Sequence, residues 1–523
     1  MENRKKEILI ITLVLVLQTM IYVFCGVHKS YIHMDEAYSL GLASYDKVEI
    51  QDNQDFYNTW HNNEYYEDYL TVNDDEVGKY SQVYENQKND VHPPLYYLFL
   101  RFSMGFSKNS YSKWSGIVIN IIIFMAITVV MYNILQKLLK GENKSKEKSI
   151  ILAFISSITM ASLTNAIYIR MYALSTLNIL ITTFLHMKLL EEEKIRPKLL
   201  VLIGLSALIG SLTHYYFLFY LAMMYLIFAI KYIRKKDLRS FWFYTLTMGV
   251  AAITSLAIFP YSIQHMFFGY RGQGVISKLL NVPAFLKSIW EYILKIDRFA
   301  FNHALLLIIV IMITGLIYKK KNKQETKREK TAYMKILILP TLFYTFLVAV
   351  SSPWVELRYI MPVCSLIFVI VLYYLYKLLN TILSEKKSNT IFVIILIAIM
   401  ISPAIFKIEP EVMFSDKKEI VQKLGNELNV PTIYLFNSQN NRFLDDILLF
   451  SEINESYIAK DIDCTTENIN TILEGKDISK GIVIFINEGQ ENDDLLAVIS
   501  NATGLKNTQY LKRLNACDVY YIK

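Results

Sequence analysis

The sequence is poor in cysteine and in the motifs that many soluble enzymes use. Four cysteines occur in 523 residues, and their spacing fits no metal site. Cys25 and Cys364 fall inside apolar runs and read as core residues. Cys464 and Cys517 lie in the polar tail, where an oxidising compartment would permit a disulfide between them. The tail holds no glycine-rich phosphate loop and no nucleophile elbow, so a binding or packing module is its plainest reading. No small-residue cleavage pattern follows the first apolar run, Ile8 to Val27. That run therefore reads as a retained span rather than a removable signal peptide.

What the chain has in quantity is apolar surface. Hydrophobic residues make up 53% of it, aromatic residues 14%, and mean hydropathy is +0.29. Long uncharged runs place it in the membrane class. The net charge of +7 does not imply nucleic acid, because the lysines and arginines sit mainly in short loops between apolar runs.

About eleven segments are apolar enough to span a bilayer, near 8–27, 117–135, 150–166, 171–190, 199–213, 215–230, 241–261, 304–318, 333–351, 359–379 and 390–406. The basic segments "MENRKKE", "KLLKGENKSKEKS", "KLLEEEKIRPK", "KYIRKKDLR", "YKKKNKQETKREK" and "YKLLNTILSEKKS" alternate with the remaining loops. The positive-inside rule makes those six cytoplasmic, with the N-terminus. The large loop 28–113, the loop 262–303 and the tail from 407 then lie outside. The expected fold is mainly α, a polytopic helical membrane bundle over 1–406 with a small C-terminal α/β domain over 407–523. In the tail, the runs "TIYLF", "SYIAK", "GIVIFI" and "VYYIK" read as strands between helical segments.

From His28 to His92 the first outer loop carries fourteen acidic residues against four lysines, with many aromatics. Disordered acidic segments are poor in aromatics, so this loop is expected to be ordered and to pack on the bundle. Its stretch "PPLYYLFLRFSMGF" reads as a helix at the membrane interface.

Asp35 and Glu36 in "YIHMDEAYSL" alone mark an ordinary polar exit from a helix. Three further outer segments change that reading. "NDVHPPLYYLFLRF" places Asp90 and His92 before two prolines, which set a rigid extended entry. "NAIYIRMYALSTLNIL" puts Arg170 between two apolar runs, where an unpaired guanidinium at the bilayer centre would cost roughly 2.5–3.5 kcal/mol. "SSPWVELRYIMPV" puts Arg358 at the start of another span, and "LTHYYF" adds His214. Outer arginines run against the positive-inside trend and favour anion binding. A nearby carboxylate can take a proton from a hydroxyl. The set suits a lipid-phosphate substrate with its head group outside. Arg271, in the glycine-flanked "GYRGQGV", reads as an ordinary solvated arginine.

The ordered motifs "MDEAYSL", "HPPLYYL", "RMYAL", "LTHYYF" and "ELRYIMP" resemble the multispanning glycosyltransferases of the GT-C superfamily, in particular the protein O-mannosyltransferase and aminoarabinose transferase family and its bacterial relatives. The resemblance covers roughly residues 1–400. It implies that Asp35 is the catalytic carboxylate with Glu36 beside it, and that the donor is a sugar on a polyprenyl phosphate used at the outer face of the plasma membrane. His92, Arg170, Arg358, Asp90 and His214 are the expected donor-phosphate and substrate residues. The acceptor hydroxyl or amine would belong to an envelope glycan, a lipid or a protein. Tyr168 and Ile169 stand where family members often carry an acid before the arginine, and Asp90 is the candidate substitute. No metal ligand is assigned; a divalent metal is compatible with this reading and is not required by it. The rival readings are a lipid-linked sugar transporter or flippase, whose charges usually gather near the membrane midplane, and a non-catalytic scaffold presenting the tail.

Overall fold

The computed structural model describes residues 2–268, 281–321, 331–438, 442–460, 465–488, 492–514 and 517–523. Arg271 and Cys464, and with Cys464 its pairing to Cys517, fall outside these residues. The chain divides into two compact units. One comprises Met1–Gly26, Asp90–Tyr96 and Ile117–Glu411; the other comprises Val27–Asn89, Tyr97–Gly116 and Val412–Lys523.

The first unit is helical. Among the described residues, eight helices are long and apolar enough to cross a membrane, or ten if each of two bent pairs counts as one span. The eight are Arg4–His28, Trp114–Leu138, Tyr172–Glu191, Phe217–Arg234, Leu238–Ile258, Ala332–Ser351, Leu357–Ile382 and Glu385–Phe406. The bent pairs are Ser145–Ser157 with Met160–Ile167, at 61°, and Val282–Ala300 with Leu305–Lys321, at 98°. Pro197–Ser211, the fifth segment expected from sequence, has 15 residues and falls short of that length. The helices turn large apolar side chains outward, among them Leu13, Met20, Trp242 and Ile253, which in water would be an untenable surface. The protein is a multi-pass membrane protein.

The second unit joins most of the large loop to the tail. Its six-stranded sheet has the order β1-β3-β2-β4-β6-β5. The strands are β1 Trp60–Asn62, β2 Thr432–Phe436, β3 Glu455–Lys460, β4 Ile482–Asn487, β5 Thr508–Arg513 and β6 Cys517–Ile522. β2 runs parallel to β3 and β4, while β1–β3, β4–β6 and β5–β6 are antiparallel. β2 and β4 are buried throughout, as continuous apolar runs in the centre of a sheet should be. Helices Thr466–Leu473 and Asn492–Thr503 cover one face through Ile469, Ile472 and Ile499. β1 comes from the large loop, where the pair Trp60↔Tyr457 sets its register on β3. The loop thus contributes a strand to the tail's sheet, a pairing that a three-residue strand gives no periodicity to reveal.

Gly481, which opens β4, has φ +101°, and a Cβ there would lie 2.4 Å from the carbonyl oxygen of Ile522. Both the dihedral and the close approach require glycine. Gly481→Ala is expected to lower the stability of this unit by at least about 1–3 kcal/mol, the scale of a forced backbone conformation. Denaturant unfolding of the full chain, followed by hydrogen exchange in β4 and β6, measures it.

Candidate functional site

In the helical unit the site begins with backbone breaks. Helix Met160–Ile167 stops at Tyr168, whose backbone is extended, and Tyr172–Glu191 starts four residues later. The freed Tyr168 carbonyl accepts hydrogen bonds from Asn120 Nδ2 at 2.6 Å and from the Arg170 N–H at 2.7 Å. Arg170 sits in this break and is 4% exposed. A second break, residues 212–216, separates Pro197–Ser211 from Phe217–Arg234 and carries His214. Asn178 Nδ2 donates to Thr213 Oγ1 at 3.1 Å, tying that turn to helix Tyr172–Glu191. The Leu95 N–H donates to the Leu212 carbonyl at 3.2 Å, which ties the Asp90–Tyr96 segment to the same turn.

These ties gather most of the selected residues. His92 Nδ1 lies 2.7 Å from Asp90 Oδ2, a charge-assisted contact that fixes the imidazole ring. Burial alone would raise the Asp90 pKa, but the neighbouring His92, its hydrogen bond and the Arg170 guanidinium outweigh it and hold the carboxyl at about 2. The His92 and His214 ring centres are 6.2 Å apart, and Tyr172 lies 5.4 Å from His214. His214 Nδ1 accepts the Tyr216 N–H at 3.1 Å, so this histidine also shapes its own turn. Arg358 is the second residue of Leu357–Ile382 and lies over the Tyr359 ring at 5.2 Å. Tyr359 in turn lies 5.8 Å from Tyr216. Asp90, His92, Arg170 and His214 form one cluster, and Arg358 adjoins it through two tyrosines.

Two residues here escaped the sequence reading. Tyr215 Oη is 2.9 Å from His265 Nδ1, and its phenol pKa is raised by burial and further by Asp90. Tyr215 also lines a cavity of about 390 Å³ whose other walls include Leu218, Leu221, Met248, Ala252 and Leu256. The tyrosines following His214 in "LTHYYF" were the available signal. They read as membrane-interface anchors because aromatic residues at span ends usually are.

In the second unit, Asp35 and Glu36 open helix Met34–Ser44 and face different surroundings. His33 caps the helix by accepting the Asp35 N–H on Nδ1 at 3.0 Å, and Glu36 Oε2 accepts the His33 N–H at 2.9 Å. This reciprocal pair is a capping box. The other Glu36 oxygen accepts from Lys29 Nζ, and both side chains are fully buried. Burial lowers the Lys29 pKa, while Glu36 works against that shift. Glu36 is therefore engaged in holding the helix start. The Asp35 carboxylate makes no such cap; it is 14% exposed and lies 3.8 Å from His33 Nδ1. Arg101, from "YYLFLRF", holds the other end of this helix by donating to the carbonyls of Ala43 and Ser44 at 3.0 and 2.8 Å.

Among the described residues no group of three or more His, Cys, Asp or Glu side chains is arranged to hold a metal ion.

The fold has solved neighbours. The chain is similar to ArnT from Cupriavidus metallidurans in a crystal structure bound to undecaprenyl phosphate, at 8% identity and TM-score 0.48, covering 98% of this chain and 97% of that one. It is similar to the apo crystal structure of that protein at 9% identity, with the same coverage and TM-score 0.48. No protein-family model and no curated protein matches the chain.

Two measurements test this geometry. Lys29→Met should destabilise the protein by about 3–5 kcal/mol, because it leaves a buried carboxylate without its cation, whereas Lys29→Met with Glu36→Gln should recover most of the loss. Thermal unfolding in detergent reads both variants. Asp90 sits below the 3.8 of an unperturbed aspartate, so its contribution is complete above that pH and is lost as pH falls through about 2. Between pH 5 and pH 2, Asp90→Asn should therefore lose about 2 kcal/mol less stability than the parent.

Proposed function

We propose that the protein is a GT-C-type membrane glycosyltransferase that moves a sugar from a polyprenyl-phosphate donor to an acceptor hydroxyl or amine. The observation that carries this reading is Tyr215. It lines an apolar cavity and lies close enough to Asp90 for that carboxylate to raise its pKa, and Asp90 is in turn held ionised by His92 and Arg170. An isoprenoid chain needs an apolar slot, and its phosphate needs cationic and hydrogen-bonding groups at the slot's end. Tyr215 connects the apolar cavity to the carboxylate that His92 and the Arg170 guanidinium surround.

In the proposed reaction, Asp35 accepts a proton from the acceptor as its oxygen or nitrogen forms a bond to the anomeric carbon. The bond from that carbon to the phosphate oxygen breaks with inversion. Polyprenyl phosphate departs as an anion, its charge met by Arg170 and Arg358 and by a hydrogen bond from His92. Fixed cations of this kind stabilise charge as it develops, at little reorganisation cost. Asp90 holds the His92 ring and His214 shapes the neighbouring turn, so both act as positioning residues. Glu36, through Lys29 and the capping box, sets the start of the helix that carries Asp35. The basic loops support a cytoplasmic N-terminus and an extracytoplasmic tail in a bacterial plasma membrane, with the acceptor among the glycans, lipids or proteins of the envelope.

The test is release of polyprenyl phosphate and transfer of label from a polyprenyl-phosphate sugar, using the full chain in nanodiscs. Asp35→Asn should lower turnover by roughly 10²–10⁴-fold with folding intact, the usual cost of losing a general base. Arg170→Ala should raise the donor KM by tenfold or more, since a hydrogen bond to a charged group contributes about 1.5–3 kcal/mol. Near-normal transfer by Asp35→Asn would remove the proposed base. Movement of the intact donor across the bilayer without release of polyprenyl phosphate would favour a transporter instead.

A further inference from the structure

Helix Val282–Ala300 lies in the region that the sequence reading leaves as an outer loop, and its sequence "VPAFLKSIWEYILKIDRFA" divides into three stripes. Ser288, Tyr292, Ile296 and Phe299 are buried. Leu286, Trp290, Ile293 and Leu294 are exposed, Leu286 by 57% and Trp290 by 60%. Lys287 and Glu291 form a charged stripe beside them and pair with each other at 3.8 Å. At 100° per residue the order around the helix is apolar and exposed, then charged, then buried. A helix packed in a soluble domain needs only the last two stripes. One crossing a bilayer would not carry the middle stripe through the hydrocarbon.

Two observations identify what covers the exposed apolar stripe. The axis turns by 98° into Leu305–Lys321, which is apolar until its final lysines and exposes Leu306, Leu307, Val310, Ile313 and Ile317. If that second helix follows the direction of the spans, Val282–Ala300 runs nearly at right angles to them. Phe285 of the same helix also meets Phe346, an outward-facing residue of the span Ala332–Ser351, at 5.4 Å between ring centres, so the helix borders the apolar outer surface of the bundle. We propose that Val282–Ala300 lies in the plane of the membrane interface, with Leu286, Trp290, Ile293 and Leu294 among acyl chains and Lys287 and Glu291 at the head groups. Its partner is bilayer lipid.

The buried stripe gives this placement a consequence within the same unit. Tyr292 Oη lies 2.8 Å from Ser352 Oγ and donates to the Trp354 carbonyl at 3.3 Å. Lys295 lies 3.3 Å from Glu411 and 3.9 Å from Glu356, the N-cap of the helix that carries Arg358. The membrane-lying helix thus braces the turn that presents Arg358.

Spin labels on Leu286→Cys, Trp290→Cys, Ile293→Cys, Lys287→Cys and Glu291→Cys test the proposal. The background carries Cys464→Ser, and the nanodiscs contain phosphatidylethanolamine and phosphatidylglycerol. Labels at 286, 290 and 293 should be more accessible to oxygen than to a water-soluble nickel chelate, and labels at 287 and 291 should show the reverse. Depths at 286 and 293 should agree within about 3 Å, because a crossing helix rises about 1.5 Å per residue and would separate them by roughly 10 Å. Labels at 307 and 313 in Leu305–Lys321, from Leu307→Cys and Ile313→Cys, should differ by about 9 Å on the same scale and serve as the internal ruler. A depth change of crossing size between 286 and 293 overturns the proposal. So does chelate-dominated access at every position, or low access to both reagents at 286, 290 and 293, which would mean a protein partner or a second copy on this face. None of these outcomes depends on glycosyl transfer.

Discussion

A charge placed among apolar helices must be compensated where it stands, and in the helical unit this constraint organises the site. Arg170 is almost wholly buried in a break between two helices. Asp90 stays ionised beside it despite its own burial. The two charges and the His92 imidazole lower one another's cost, which is the condition under which ionisable groups persist in such surroundings. The bonds from Leu95 to Leu212 and from Asn178 to Thr213 then serve a single end, bringing the 90–96 segment against the two breaks. The breaks themselves follow from the same constraint. A continuous helix satisfies its own carbonyls, whereas the Tyr168 carbonyl in the break needs Asn120 and the Arg170 N–H.

The second unit meets the same demand differently. Lys29 and Glu36 are both fully buried, and the glutamate is also half of a capping box. Glu36 therefore restrains the helix start in two ways, through a charge and through a backbone N–H. Arg101 restrains the far end through backbone carbonyls. A helix of eleven residues has little stability of its own, and fixing both ends defines where its partly buried first-turn carboxylate, Asp35, can be. Two neighbouring acids in the sequence thus have separate surroundings because one sits at the third helical position, facing the cap, and the other does not.

The parts of the fold that physics forces into long patterns were legible in the sequence. Roughly 20 apolar residues per crossing is a demand of the bilayer, so helices such as Trp114–Leu138 and Leu357–Ile382 announce themselves. β2 and β4 did so as unbroken apolar runs bounded by polar residues. β1 did not, because "WHN" is too short to show alternation and its partner lies almost four hundred residues away in the tail. β5 did not either, because an exposed edge strand carries no apolar signal. Val282–Ala300 was hidden by its charges, since a helix with three environments matches neither the span pattern nor a two-faced one. Within the site, Arg170 stood out as a charge between two apolar runs, Asp90 and His92 as polar residues before two prolines that open an apolar helix, and His214 as a histidine at an outer turn between spans. The separate engagement of Glu36 was readable only from the spacing His33-x-x-Glu36, a weak form of the capping pattern in which histidine replaces serine or threonine.

On the proposed function, the composition of the cluster also bears on product release. Tyr172, Tyr215, Tyr216 and Tyr359 lie among or beside the charged and imidazole groups, so neutral side chains outnumber the two arginines. On the proposed reaction the anion that is stabilised in the transition state is also the leaving product. Each added cation would strengthen both, and an enzyme gains only from interactions stronger in the transition state than in the states on either side. Asp90 moderates the field of Arg170 in this sense: it makes the guanidinium affordable in the helical interior while reducing the net positive charge a departing phosphate must escape. On that proposal, a site with the arginine alone would hold its product more tightly, and a site with neither charge would lack the cation that meets the donor phosphate.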